Sequence, residues 1–150
     1  MRMMMTIAAA AAILQSSAQS SEQPAAAVPV PAQAFDGAYR GTLNCAKLSW
    51  TKAPLTNEPV SVAIMGGKVS YSRVLYGVDR STVVGQESGT GTVAADGGIV
   101  LNGGSTGRLG TMQAAYRGKL AGGNGILDGA QSVTYQGKTE IRACTLQLKL

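Results

Sequence analysis

The chain has 150 residues with 13 basic and 8 acidic side chains, 20 glycines, two cysteines and no histidine. That length suits one domain. The mild positive charge is scattered, with no basic stripe for nucleic acid, and the missing histidine removes His-based triads and the commonest metal ligand.

The N-terminus reads as a secretory signal. MRMMM carries one positive charge, TIAAAAAIL is a nine-residue apolar run, and QSSA places Ser16 and Ala18 at the positions that precede cleavage. The run is shorter than the roughly 20 residues a membrane-spanning helix needs. Cleavage is expected after Ala18, with no Cys behind the run to carry a lipid anchor. Residues 19–34, QSSEQPAAAVPVPAQA, hold three prolines and no periodicity and read as a disordered leader. The folded domain is expected over residues 35–150 of a periplasmic or secreted protein. With Arg2 removed, 12 basic and 8 acidic side chains remain, a charge of +4. That charge permits weak attraction to an anionic envelope component such as a sugar layer or peptidoglycan.

The remainder reads as strands. Explicit turns occur at MGGK (65–68), ADGG (95–98), AGGNG (121–125) and YQGK (135–138). Their Gly-Gly, Asp-Gly and Gly-Asn pairs supply the positive φ that tight hairpins need. Between them the spacing predicts strands over 37–48, 59–65, 68–78, 82–94, 98–103, 109–121, 125–134 and 138–149. Short sequential connections imply an antiparallel meander, and eight such strands commonly close to remove exposed edges. The expected fold is therefore all-β, an eight-stranded antiparallel meander β-barrel.

AYRGTL at 38–43 returns as AYRGKL at 115–120. Side chains alternate along a strand. Tyr39, Gly41, Leu43 and Cys45 therefore share one face, as do Met112, Ala114, Tyr116, Gly118 and Leu120. The arginines lie opposite. The repeat encodes an inward Tyr–Gly–Leu stripe, a packing unit whose glycine lets the strand bend and admits a bulky neighbour. In the last segment Cys144, Leu146, Leu148 and Leu150 share a face. First and last strands of a closed meander are neighbours, so Cys45 and Cys144 are expected to form a disulfide in an exported protein.

The strand count and order resemble lipocalin- and avidin-type barrels in architecture only. No family signature appears, and no family residues are carried over.

Apparent catalytic motifs dissolve on inspection. SWTK (49–52) matches the S-x-x-K of penicillin-binding enzymes, but S-D-N and K-T-G elements are missing and Pro54 argues against the required helix. SVTYQGKT (132–139) imitates a phosphate-binding loop but leads into a strand where that loop needs a helix. GTGTVA (89–94) imitates a dinucleotide fingerprint but precedes a turn. Asp36, Asp79, Glu87, Asp96, Asp128 and Glu140 show no spacing that singles out a catalytic pair. Glu87 and Asp128 read as solvent-facing strand residues.

Inward polar groups offer the best binding candidates. Tyr39 and Tyr116 point inward by parity. Gln131 shares a face with Leu127 and Val133, and Arg73 with Val69 and Tyr71. Together they are the expected ligand-binding residues of an interior that is either filled or holds one small ligand. Trp50, in the loop SWTKAPLTNE, is the candidate anchor for a protein partner. An outer-membrane barrel is not expected, because aromatics make up only 5% and the outward residues of the AYRG strands are Arg, Thr, Gln and Lys. The function expected is a non-catalytic exported envelope protein, using no cofactor or metal, that binds a small ligand, such as an apolar one, or a surface component. The alternative is an inhibitor or partner-binding protein that acts on an envelope or host protein through its loops.

Overall fold

A computed structural model of the chain describes residues 32–77, 79–107 and 110–150. The expected signal peptide and residues 19–31 of the expected leader lie outside the described residues. Ala32–Phe35 form a single 3-10 turn, followed by eight strands: β1 Gly37–Cys45, β2 Leu55–Met65, β3 Lys68–Tyr76, β4 Val83–Val93, β5 Gly98–Gly107, β6 Gly110–Ala121, β7 Asn124–Tyr135 and β8 Lys138–Lys149. They close into one barrel in sequence order, every neighbouring pair antiparallel and β1 paired with β8.

The core follows strand parity. Tyr39, Leu43 and Cys45 of β1 are buried, as are Met112, Ala114, Tyr116 and Leu120 of β6 and Cys144, Leu146 and Leu148 of β8. Leu150 departs from this pattern. It lies beyond the end of β8 and is 61% exposed. The glycine of the repeat admits the adjacent strand in both copies. A Cβ at Gly41 would lie 2.7 Å from Leu148 Cδ2, and one at Gly118 would lie 2.7 Å from Leu127 Cα.

Cys45 and Cys144 face each other across the β1–β8 seam and are bonded, S–S 2.07 Å. The bond joins residues 99 apart in sequence, so it removes the entropy of a very long loop from the unfolded chain.

Three strand ends differ from expectation by three residues or more. β1 stops at Cys45, not at residue 48. Leu48 instead turns inward, its N–H donating to Thr51 Oγ1 while Thr51 N–H donates back to the Leu48 carbonyl, both at 3.0 Å. This local exchange satisfies backbone groups that a continued strand would pair. β2 starts at Leu55, ahead of Pro59, although proline cannot donate to a ladder. It is tolerated because β2 pairs with β3 only over Ser61–Met65, so Pro59 borders β1 alone. β5 continues to Gly107 because its pairing with β6 runs on, while its pairing with β4 stops at Ser88 and Gly104.

The ends of the barrel therefore differ. At one end the Asp36 carboxylate accepts hydrogen bonds from Gly66 N–H and Gly67 N–H, and Phe35 packs against the core. At the other, the ladders on both sides of the β3–β4 hairpin stop early, above Ser61/Ser72 and above Ser88/Gly104. Replacing both cysteines with serine is expected to lower unfolding free energy by about 4–5 kcal/mol. The check is the denaturant midpoint of the double variant against that of the oxidised protein.

Candidate functional site

At this loop end four polar or charged side chains are buried: Glu58, Arg73, Glu87 and Gln131. Glu87 corrects the expectation of a solvent-facing residue, since its exposure is 0%. Its inward neighbours on β4 are Gly89, Gly91 and Val93. Glycines carry no hydrophobic signal, so alternation could not orient this strand.

Glu87 is the centre of the site. Arg73 stands directly opposite on β3 and donates from Nε to Glu87 Oε2 at 2.5 Å. Tyr71 and Tyr116 each donate a hydroxyl to Oε1 at 3.2 Å. Gln131 Nε2 donates to Oε2 at 3.2 Å and to the Tyr116 hydroxyl at 2.8 Å. The amide oxygen of Gln131 then accepts from Arg142 Nε at 2.9 Å and Nη2 at 2.6 Å. The chain Arg142–Gln131–Glu87–Arg73 crosses the lumen from β8 to β3.

Burial, and next the Glu87 charge, push both the Tyr71 and Tyr116 hydroxyls well above the ordinary phenol range. Both remain protonated donors. Burial, and then the Arg73 charge, lower Arg142 from the ordinary guanidinium value. Glycines provide the space for the phenols. A Cβ at Gly89 or Gly103, which pair across β4 and β5, would run into the Tyr71 ring or hydroxyl. One at Gly129 would lie 2.7 Å from Tyr116 Cδ1. The two rings meet edge to face, centroids 6.1 Å apart.

Three of the residues singled out from sequence, Arg73, Tyr116 and Gln131, thus meet at one carboxylate. Tyr39 does not join them: its hydroxyl donates to the Phe35 carbonyl at 3.0 Å, beside the closed end. Sequence reading missed Arg142 and Glu58. Arg142 was accessible from parity, two residues before inward Cys144. Glu58 shares the inward face of Val60, Val62 and Ile64 but preceded the expected start of β2. Its partner is Arg80 Nη2 at 2.5 Å, a pair that spans from β2 to the β3–β4 loop where the backbone ladder is missing.

Trp50 belongs to a second cluster on the rim. Ser49 N–H donates to Glu140 Oε2 at 2.8 Å and the Ser49 hydroxyl donates to Oε1. Lys138 Nζ donates to Ser49 Oγ at 2.8 Å and to Glu140 Oε1 at 2.7 Å, and it stands 5.4 Å over the Trp50 ring. Trp50 in turn lies 6.4 Å from the Tyr135 ring. The lysine facing Ser49 is Lys138, not the Lys52 of the S-x-x-K motif. It donates to the hydroxyl, the opposite of a general base. QGKT is the β7–β8 turn, with Gln136 and Gly137 at positive φ.

Two hollows stand out among the described residues. One, of about 310 Å³, borders the disulfide. The other, of about 520 Å³, opens where β4 and β5 part and is lined by Gln86, Ser88, Gly103, Gly104, Ser105, Thr106, Thr111, Met112 and Gln113. Neither is lined by Tyr39, Arg73, Tyr116 or Gln131, whose side chains fill the interior.

Glu87→Ala leaves the Arg73 charge buried and unpaired, so it is expected to cost about 3–5 kcal/mol; urea unfolding of the variant measures this. The Lys138 and Ser49 hydrogen bonds hold Glu140 down at about 2, below the ordinary 4.5. A depressed carboxylate stabilises its contacts above the unfolded value and loses them as pH falls through the folded one. Fluorescence of Trp50, the sole tryptophan, should therefore hold steady down to about pH 4 and change with a midpoint near 2. Glu140→Gln should abolish that transition.

Compared with known proteins, the chain matches no protein-family model, no curated protein and no solved structure.

Proposed function

We propose that this is an exported, non-catalytic binding protein of a bacterial envelope that takes a polar surface component at the loop end of its barrel. The observation that carries the reading is the open hollow at the surface where β4 and β5 separate, with exposed Gln86, Ser88 and Gln113 on its lining. The disulfide supports an oxidising compartment. No helix among the described residues is long and apolar enough to cross a membrane. Exposed Arg40, Arg117 and Lys119 on the outer wall favour contact with water over lipid.

Binding without catalysis is supported by how the buried charges are used. Glu87 is paired with Arg73 and Glu58 with Arg80. Each carboxylate has its own guanidinium, an arrangement for holding charge rather than moving protons. A second reading, partner capture through the rim, is favoured by the fixed stack of Trp50, Tyr135 and Lys138.

Sedimentation with insoluble envelope polymer tests both. The exported protein is expected to co-sediment saturably, and Trp50→Ala to leave this unchanged. Loss in Trp50→Ala with the fold intact moves the function to the rim. Absence of co-sedimentation overturns the envelope-component reading.

A further inference from the structure

Three guanidinium groups meet the loop end of the lumen. Arg73 pairs with Glu87 and Arg80 with Glu58, but Arg142 is held by a neutral carboxamide. Arg142 stands on β8 two residues before Cys144, where the β1–β8 register ends, and it is partly exposed. Its Nε and Nη2 both donate to Gln131 Oε1, so one edge of the guanidinium is occupied and its orientation is fixed. The other edge, between Nη1 and Nη2, is a fork of the kind that takes an oxyanion through two parallel hydrogen bonds.

The carboxylates at this end are already engaged. Glu87 accepts from Arg73 Nε, the Tyr71 and Tyr116 hydroxyls and Gln131 Nε2, which fills the capacity of about four that an ionised carboxylate has. Glu58 is bound by Arg80, and Glu140 by Ser49 and Lys138. Exposed Asp79 accepts from Ser81 and Thr82 within its own loop. The domain residues outside the described ones, Val78, Arg108 and Leu109, have no carboxylate side chain, so they supply no counter-charge. Burial, and then the Arg73 charge, lower Arg142, and Glu87 and Glu58 oppose this without reversing it. A partly buried cation in that position is stabilised by an anion taken from solution.

We propose that Arg142 anchors a binding site at the mouth of the lumen for a small oxyanion, a carboxylate or phosphate group met end-on by its guanidinium. Neither hollow is lined by Arg142, so this site goes beyond the envelope-component reading and stands or falls apart from it. The test is a nuclear magnetic resonance titration of the isotope-labelled, full exported chain at pH 7, in which sodium acetate or inorganic phosphate replaces chloride at constant ionic strength. The two anions separate a carboxylate source from a phosphate source. The Arg142 Nε–H and Gln131 carboxamide signals are expected to shift saturably with at least one of them, while exposed Arg40 and Arg117 shift little and linearly. Repeating the titration in Glu22→Gln keeps the carboxylate of the expected leader from standing in for the anion. Arg142→Lys retains the charge without the fork and should weaken binding about tenfold, read at the Gln131 carboxamide, the scale of one lost charge-assisted hydrogen bond. The titration of the unsubstituted chain decides alone if that variant does not fold. No shift at Arg142 with either anion in either chain, a shift no larger than that of Arg40, or unchanged binding in folded Arg142→Lys overturns the site. Saturable binding at Arg142 without co-sedimentation with envelope polymer upholds this site and removes only the envelope-component reading.

Discussion

A carboxylate withdrawn from water is costly unless it is paired and hydrogen-bonded on every side. Glu87, with no exposure, sets that condition for the whole upper half of this barrel. Meeting it takes a guanidinium from β3, a phenol from β3, a phenol from β6 and an amide from β7, and the amide is oriented in turn by a second guanidinium from β8. Five strands are thereby tied across the lumen by one group. No buried side-chain nitrogen or oxygen among the described residues lacks a partner. A network satisfied throughout specifies a single arrangement, where a partly satisfied one would destabilise the core.

Space for this network comes from missing side chains. Two phenols can reach inward to one carboxylate because the wall beside them is bare at Gly89, Gly103 and Gly129. The same economy appears in the repeated hexapeptide, where Gly41 receives the leucines of β8 and Gly118 the backbone of β7. Many of the glycines thus lie either in hairpin turns or where a neighbouring strand or an inward ring comes close.

The loop end is held differently from the rest of the barrel. Between β2 and β3 the backbone ladder gives way to one ion pair, Glu58 with Arg80, and between β4 and β5 it gives way to an open cleft. The β3–β4 hairpin stands between these two gaps, fastened from within by Arg73 and Glu87. The network fills the lumen at this end, and the hollow between β4 and β5 opens at the surface. Neighbouring residues of β4 serve opposite faces of the wall, with Gln86 and Ser88 exposed and Glu87 buried in the core.

Local rules in the amino-acid sequence were enough to read the strand count, the meander, the inward stripe of the AYRG repeat, and the pairing of Cys45 with Cys144. Each depends on period-two alternation or on turn residues a few positions apart, and both act over short stretches of chain. The direction in which Glu87 faces, the convergence of Arg73, Tyr116, Gln131 and Arg142, and the early parting of β4 from β5 were decided by tertiary structure. An inward face made of glycine is silent to alternation, and a ladder's end depends on how two strands far apart in sequence diverge. Charges meet across a lumen only once the last strand has closed against the first.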